Sequence, residues 1–523
     1  MKRVKKGPKI VETLHELKLL CVSNMAPLRL MPPAGTTVVA EQVAAVVGYT
    51  SGKAIHIPME CATYNTEGLC LTGPMQLKWM EQLLDHPREF VLHVDGKHKL
   101  HHGGWVLMTI GFHRLRWDPH HQTLSTTFVP LVYQMCRQVE SGTASELGSA
   151  HMLVDALNVV CLKALGKCLE PGAGISDHCA AYRNAYERAF PDMPFGQCYP
   201  HIMMKLDKGE YCKVTFAHFE EAKEHVRAIH LAVSVQMKEL LIEMIGDVWD
   251  EWGDQGLCTT FWNSYCVEPW DCWSVGLFEN PLCTPSNNTQ EAWHRDLLRS
   301  RIPGHFRGST ECVFNVALPK LIDMDALLQP SILTFDVPAI PAKMMQKALF
   351  YITNQKTHVH SFDLEGEPAY YVLSETKAAG AKCITKRIIE MFTRAMIGEL
   401  DARIKDVPSL MQVCQSMHLV CKPAEGMTVY ECDGNPGKYD CVACKGFKGV
   451  GICSHVLAIN HITQQYNVRY ELSTLQTRSS KKAAMRAGKQ TRPAPALTRA
   501  PVAAPDSSDE EEAELLRLGE QGK

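Results

Sequence analysis

No stretch of this 523-residue sequence approaches the roughly 18 consecutive apolar residues that a membrane-spanning helix needs, so no membrane association is expected. The basic start from Met1 to Lys9 is followed by no apolar core, so no secretion signal is read there. Without an export route, the 21 cysteines are expected as reduced thiols in an intracellular protein rather than as disulfides. Charge of one dominant sign is also lacking. Lys+Arg 54 against Asp+Glu 57 leaves a net charge of −3, so any basic surface must be local. What is present is ordinary for globular protein, 46% hydrophobic and 21% charged, and the length calls for more than one core.

Residues 1–85 carry little pattern beyond one helix, where Leu77, Met80, Leu83 and Leu84 share a face. From Glu89 the texture changes. Val91-Leu92-His93-Val94-Asp95-Gly96 reads as a short strand ending on an acid. Trp105 to Gly111 and Thr126 to Tyr133 read as further strands, the latter weakened by Pro130. Ala144 to Leu165 has helical spacing. Gly172 to Asp177 is another strand ending on an acid, and Ala180 to Phe190 is a helix stopped by Pro191. Strands first, then strand and helix in alternation, predict an α/β (α+β) domain with a mixed sheet. Residues 215–250 are helical, with Val226, Ile229, Val233, Met237, Leu240, Met244 and Val248 recurring every three or four positions. The tryptophans from Trp249 to Trp273 read as core, and His93, His98, His101 and His102 as a solvated loop. A cap-like Ser286-Asn287-Asn288-Thr289 opens a helix bearing Glu291. Residues 301–425 form a mixed linking region with a strand at Ala369 to Leu373 and a helix at Ile384 to Leu400. Residues 475–523, basic to Arg499 and then acidic, read as a disordered tail.

Two constellations carry chemistry. The first, in residues 427–465, is Cys441-x2-Cys444-x8-Cys453-x-His455. Four such donors within 15 residues suit the tetrahedral preference of Zn²⁺, and one tight turn supplies the first two thiolates. Met427 to Cys432 and Lys438 to Val442 read as hairpin arms and Val456 to Ile459 as a helix, giving a ββα unit. Cys432 competes with Cys441 for the first ligand position. The alternative reading is three core cysteines and a surface histidine. The second constellation is Asp95, Asp177 and Glu291. An acid at a strand end is usually a turn or cap residue. Three carboxylates from separate elements can instead meet at one sheet edge and hold two Mg²⁺ or Mn²⁺ ions about 4 Å apart for attack on a phosphodiester.

The residues around these acids resemble the transposase domain of Mutator-like elements (MULE), a member of the RNase H-like DDE group. Val91 to Gly96 is similar to its first-Asp strand. Ile175-Ser176-Asp177 with the helix ending Ala189-Phe190-Pro191 is similar to its second-Asp unit. Cys198-Tyr199-Pro200-His201 is similar to the Cys-x2-His that follows, and Asn287 to His294 to the segment bearing the catalytic Glu. Cys444 to Phe447 and Gly451 to Ala458 resemble the second half of a SWIM zinc finger. In the first half, Val442 stands where that family has a cysteine and Cys441 lies beside it. The resemblance implies an RNase H-like domain at 86–300, with a helical insertion at about 202–285, in which Asp95, Asp177 and Glu291 share metal ions. Cys198 and His201 would form either a second metal pair or a brace. It implies a DNA-binding, DDE-type transposase that cleaves and joins strands in the nucleus. The alternative is a catalytically inactive descendant that binds DNA or protein partners through the SWIM finger. Homo-oligomerisation is compatible with either. Residues 1–85 show none of the Cys/His DNA-binding modules that often precede such domains.

Overall fold

A computed structural model describes residues 26–27 and most of 54–475, with gaps chiefly at 279–283, 298–312, 330–338, 375–385, 400–415 and 424–430. The basic N-terminus and the tail from 476 onward, where disorder is expected, lie outside the described residues.

The larger sheet starts upstream of the expected boundary at 86. Strands β1 (Ile55–Ile57) and β2 (Thr66–Thr72) precede helix α1 (Pro74–Leu83) and belong to the same sheet as the three that follow. Those are β3 (Val91–Lys97), β4 (Val106–Asp118) and β5 (Thr123–Gln138). After helix α2 (Thr143–Leu165) come β6 (Ala173–Ser176), helix α3 (Ala180–Ala189) and β7 (Phe195–Gln197). The order across the sheet is β1-β2-β5-β4-β3-β6-β7, with the two-residue bridge Ala26–Pro27 at its edge. β3, β4 and β5 pair antiparallel, whereas β6 and β7 continue parallel to β3. Strands β1 and β2 escaped the sequence reading because their apolar residues sit in a segment without clear alternation. They gain their order by pairing, Thr66 to Leu71 lying opposite Gln138 to Tyr133.

The Pro130 strand is longer than expected and lies inside the sheet rather than at its edge. A bulge makes this tolerable: pairing slips between Ile110 and Gly111, so that Gly111 lies opposite Pro130, which has no N–H to offer. Gly111 is required there, since a Cβ would fall 2.2 Å from the Val129 carbonyl oxygen. One face of the sheet is closed by α1, α2 and α3 through Trp79, Met80, Leu153, Leu157 and Tyr186, all nearly fully buried. By length and composition, Glu146–Leu165 of α2 could cross a membrane, but much of it is buried in this core. The other face is covered by Trp293 and Leu297 and by Leu318, Leu321 and Ile322 of a helix at Leu318–Leu328.

The stretch at 215–250 is two helices, α5 (Phe219–His230) and α6 (Val235–Trp252), preceded by α4 (Tyr199–Asp207). Ser234 breaks the periodicity by capping α6, its hydroxyl accepting from the Met237 N–H at 3.1 Å. Trp249 and Trp273 are fully buried, as expected for core residues. Their core is shared. The insertion packs Val226, Ile245, Trp249 and Phe261 in one cluster with Tyr371, Phe392 and Leu419. The 301–425 region is therefore more than a linker. Following helix α7 (Asn288–Asp296), it contributes helices α8 (Leu318–Leu328), α9 (Ala342–Thr353) and α10 (Lys386–Met396) and strands β8 (Val359–Leu364), β9 (Glu367–Leu373) and β10 (Met417–Cys421), which with β11 (Asp440–Val442) form a second sheet in the antiparallel order β11-β10-β9-β8. Gly111→Ala is expected to lower global stability by on the order of 2 kcal/mol through overpacking at the bulge. Thermal unfolding checks this, with Gly449→Ala, where nothing lies near the added carbon, as the silent control.

Candidate metal centres

The expected Cys/His unit forms, with changed strand pairing. The residue-440 strand does not pair with the 431–432 segment. It joins β10 of the second sheet, while Glu431–Cys432 makes its own short ladder with Asn435–Pro436. Helix α11 (Lys445–Val450) begins directly after Cys444, and α12 (Ser454–Ile462) directly after Cys453. Gly451 ends α11 in the left-handed region, φ 73°, turning the chain back toward Cys453. Cys453 caps α12, its sulfur accepting from the Val456 N–H at 3.5 Å; burial pushes its thiol well above the usual range, and this N–H opposes the shift.

The sulfurs of Cys441, Cys444 and Cys453 each lie 3.6 Å from His455 Nδ1. For tetrahedral zinc, with Zn–S about 2.3 Å and Zn–N about 2.0–2.1 Å, the S-to-N edge is about 3.6 Å. All four residues are buried, giving a Cys3His cluster suited to a metal such as zinc. Cys441 takes the first position; the Cys432 side chain lies outside the described residues. Without metal, hydrogen bonds from the Cys441 and Cys453 thiols pull Cys444 well below the usual thiol range, while burial pushes Cys441 well above it. Lys448, buried on α11, lies 3.8 Å from buried Asp440, the residue before Cys441.

Two neighbours of this cluster had no local signal in the sequence. Tyr351, about a hundred residues upstream, approaches His455 Nε2 with its hydroxyl at 3.3 Å, fixing the ring so that Nδ1 faces the sulfurs. His418 on β10 stacks on His455, ring centroids 4.0 Å apart, and brings a further nitrogen into the cluster.

The second centre lies at the edge of the large sheet. β3 and β6 run parallel with His93 opposite Ile175. Asp95 lies two residues further along β3 and Asp177 directly follows the end of β6, so the register carries both acids toward the same end of the sheet. Glu291 comes from helix α7 (Asn288–Asp296). All three line one cleft of about 750 Å³, together with Lys97, Lys205 and Arg295. His201 of α4 joins two of the acids, its Nδ1 2.8 Å from Asp177 and its Nε2 3.4 Å from Glu291. His294 Nδ1 lies 3.1 Å from Asp95. Burial raises the Glu291 pKa; His201 opposes this, while the charges of Asp177 and Asp95 add to it. Burial would depress His201, but Asp177 and Cys198 overcome it and push the imidazole up to about 11. Asp177, Cys198 and His201 also form a compact donor group of their own.

The face of α7 that seats Glu291 was missed in the sequence, although its spacing of three and four positions was visible. Asn287, fully buried, approaches His93 Nδ1 at 2.8 Å and donates to the Val94 carbonyl at 3.3 Å. Its backbone N–H donates to the Cys198 sulfur at 3.2 Å. Gln290 donates to Thr109 Oγ1 at 3.0 Å, and Trp293 to Asp325 at 3.0 Å. His93 is therefore no solvated loop residue. It is 1% exposed, stacked on His113, and held by burial at a pKa of about 4. The two centres are linked by a ring stack. Lys445, next to Cys444, lies 5.0 Å over Tyr199, whose ring stacks on His230 at 3.6 Å.

No protein-family model matches the chain, and no curated protein matches it in sequence. Tyr351→Phe is expected to weaken metal affinity about 10- to 100-fold by freeing the His455 ring. Competition with a chromogenic chelator reads this, with circular dichroism reporting the fold.

Proposed function

We propose that the large sheet is an RNase H-like nucleic-acid-processing core of the MULE transposase kind, and that the Cys3His cluster is a SWIM-type structural zinc site. The observation that carries the reading is that Asp95 of β3 and Asp177, directly after the neighbouring parallel strand β6, line one cleft, with Glu291 delivered to it after a helical insertion. The strand order β5-β4-β3-β6-β7, three antiparallel and two parallel, is the order that such a core has.

The donor set fits hard divalent cations. Burial raises Glu291 and the charges of Asp177 and Asp95 add to it, and Asp177 Oδ1 is buried without an aligned hydrogen bond. Mg²⁺ or Mn²⁺ bound there supplies charge stabilisation and an activated water or 3′-hydroxyl for in-line attack on DNA. The chain's own residues do the positioning. Asn287, Gln290 and Trp293 clamp α7 to the sheet and fix Glu291 over the two aspartates. His294 orients Asp95, and His201 holds Asp177 and Glu291 in place as a cationic brace. No side chain is required as a covalent nucleophile. Lys97, Lys205 and Arg295 offer charge to the phosphates of the bound strand.

His201 also supports a second reading. An imidazolium that pairs with two of the three acids already offsets part of their charge, as suits an inactive descendant that binds DNA or protein through the SWIM unit in the nucleus. Mg²⁺-dependent nicking of supercoiled DNA separates the two. The wild type is expected to nick and Asp177→Asn to lose at least 100-fold, a loss of about 3 kcal/mol of transition-state stabilisation. Equal rates would leave the binding reading. One equivalent of zinc per chain is expected by elemental analysis, and substantially less in Cys453→Ser.

A further inference from the structure

We propose that the acid cleft continues into a nucleobase subsite, where Gln197 and His178 receive one base of the strand bound at the carboxylates. This rests on the nucleic-acid reading above and names what that site contacts beyond the phosphodiester.

Gln197 ends β7 and lines the cleft, yet it is only 1% exposed. Neither its Nε2 nor its Oε1 makes an aligned hydrogen bond, and the polar group that faces it is the His178 ring. A buried amide whose pairing is this incomplete is costly, and natural structures rarely keep one without a use. His178 lines the same cleft, and its Nδ1 is likewise buried without an aligned partner.

The ring of His178 is held from behind. Trp270 lies 4.3 Å from it and Tyr265 5.0 Å, the latter edge-on. The Tyr265 hydroxyl is pinned in turn by the Tyr211 hydroxyl at 3.0 Å and the Lys205 ammonium at 3.4 Å. Arg183 sits 5.5 Å over the Trp270 ring. A ring braced on this scale loses little freedom when a ligand stacks on it.

The chemistry favours a base over a phosphate. An amide presents donor and acceptor side by side, the pattern that reads a base edge, and aromatic rings supply the stacking face. Gln197 brings no charge to the subsite. Glu146 lines the same cleft and would repel a phosphate brought near it.

The test uses the full-length protein and a 12-nucleotide single-stranded deoxyoligonucleotide with one abasic site moved along it. Ca²⁺ replaces Mg²⁺ so that the strand stays intact, and affinity is read by fluorescence anisotropy. Wild type is expected to lose affinity about 5- to 100-fold at one abasic position, the cost of one stacked base. Gln197→Leu and His178→Leu should each flatten that step while retaining the affinity seen at the remaining positions. A flat scan in the wild type, absence of binding included, overturns the subsite, as does an unchanged step in both variants. Mg²⁺-dependent nicking, measured in parallel, reports the carboxylate reading separately. A stepped scan without nicking removes catalysis and keeps the subsite.

Discussion

The parallel pairing of β3 with β6 is the constraint on which the candidate chemistry depends. With His93 opposite Ile175, the register carries Asp95 and Asp177 toward the same end of the sheet. A slip of one residue would turn one carboxylate to the opposite face. The register is protected from both sides. Leu92 and Val94 pack into the α2 and α3 core, while Val91, Ala173 and Ile175 pack under Phe278. The apolar pattern that makes the sheet fold is thus the same pattern that aligns the acids. Glu291 has no such strand to place it. Its position depends on buried polar contacts, from Asn287, Gln290 and His294 to the sheet.

Those contacts mark the limit of what the sequence could reveal. Asp95 and Asp177 were legible because each ends an apolar run, a local signal. The strands and helices from Val91 to Ala189 were legible for the same reason. β1 and β2 were not, because they acquire order from partners sixty residues away. His93 was misjudged since likeness to the histidines at 98, 101 and 102 outweighed its apolar neighbours Leu92 and Val94, and nothing local signals a buried asparagine nearly two hundred residues downstream. In the Cys/His unit, spacing alone named the four donors. Tyr351 and His418 were invisible, since second-layer partners of a metal need only be near in space, and Asp440–Val442 chose a strand partner outside its own motif.

The two centres answer to different physics. The Cys3His cluster is buried, with its sulfurs and nitrogen at the edge length of a tetrahedron, as suits a metal such as zinc. The carboxylate cleft is lined by acids and bases together, with Asp95, Asp177 and Glu291 facing Lys97, Lys205, Arg295 and His201. Lys445, beside Cys444, lies over Tyr199 of α4, the helix that carries His201.

The core shared between the insertion and the second sheet has a bearing on how the chain is made. The apolar faces of α5 and α6 are complete once residue 252 leaves the ribosome, but their partners Tyr371 and Leu419 are not. At about 5–20 residues per second, the insertion waits roughly ten to thirty seconds before it can close. Over that interval it presents Val226, Ile245 and Trp249 to the cell as a nascent chain. Chaperone attention and codon pacing between residues 252 and 420 would then shape yield more than the final stability of either sheet.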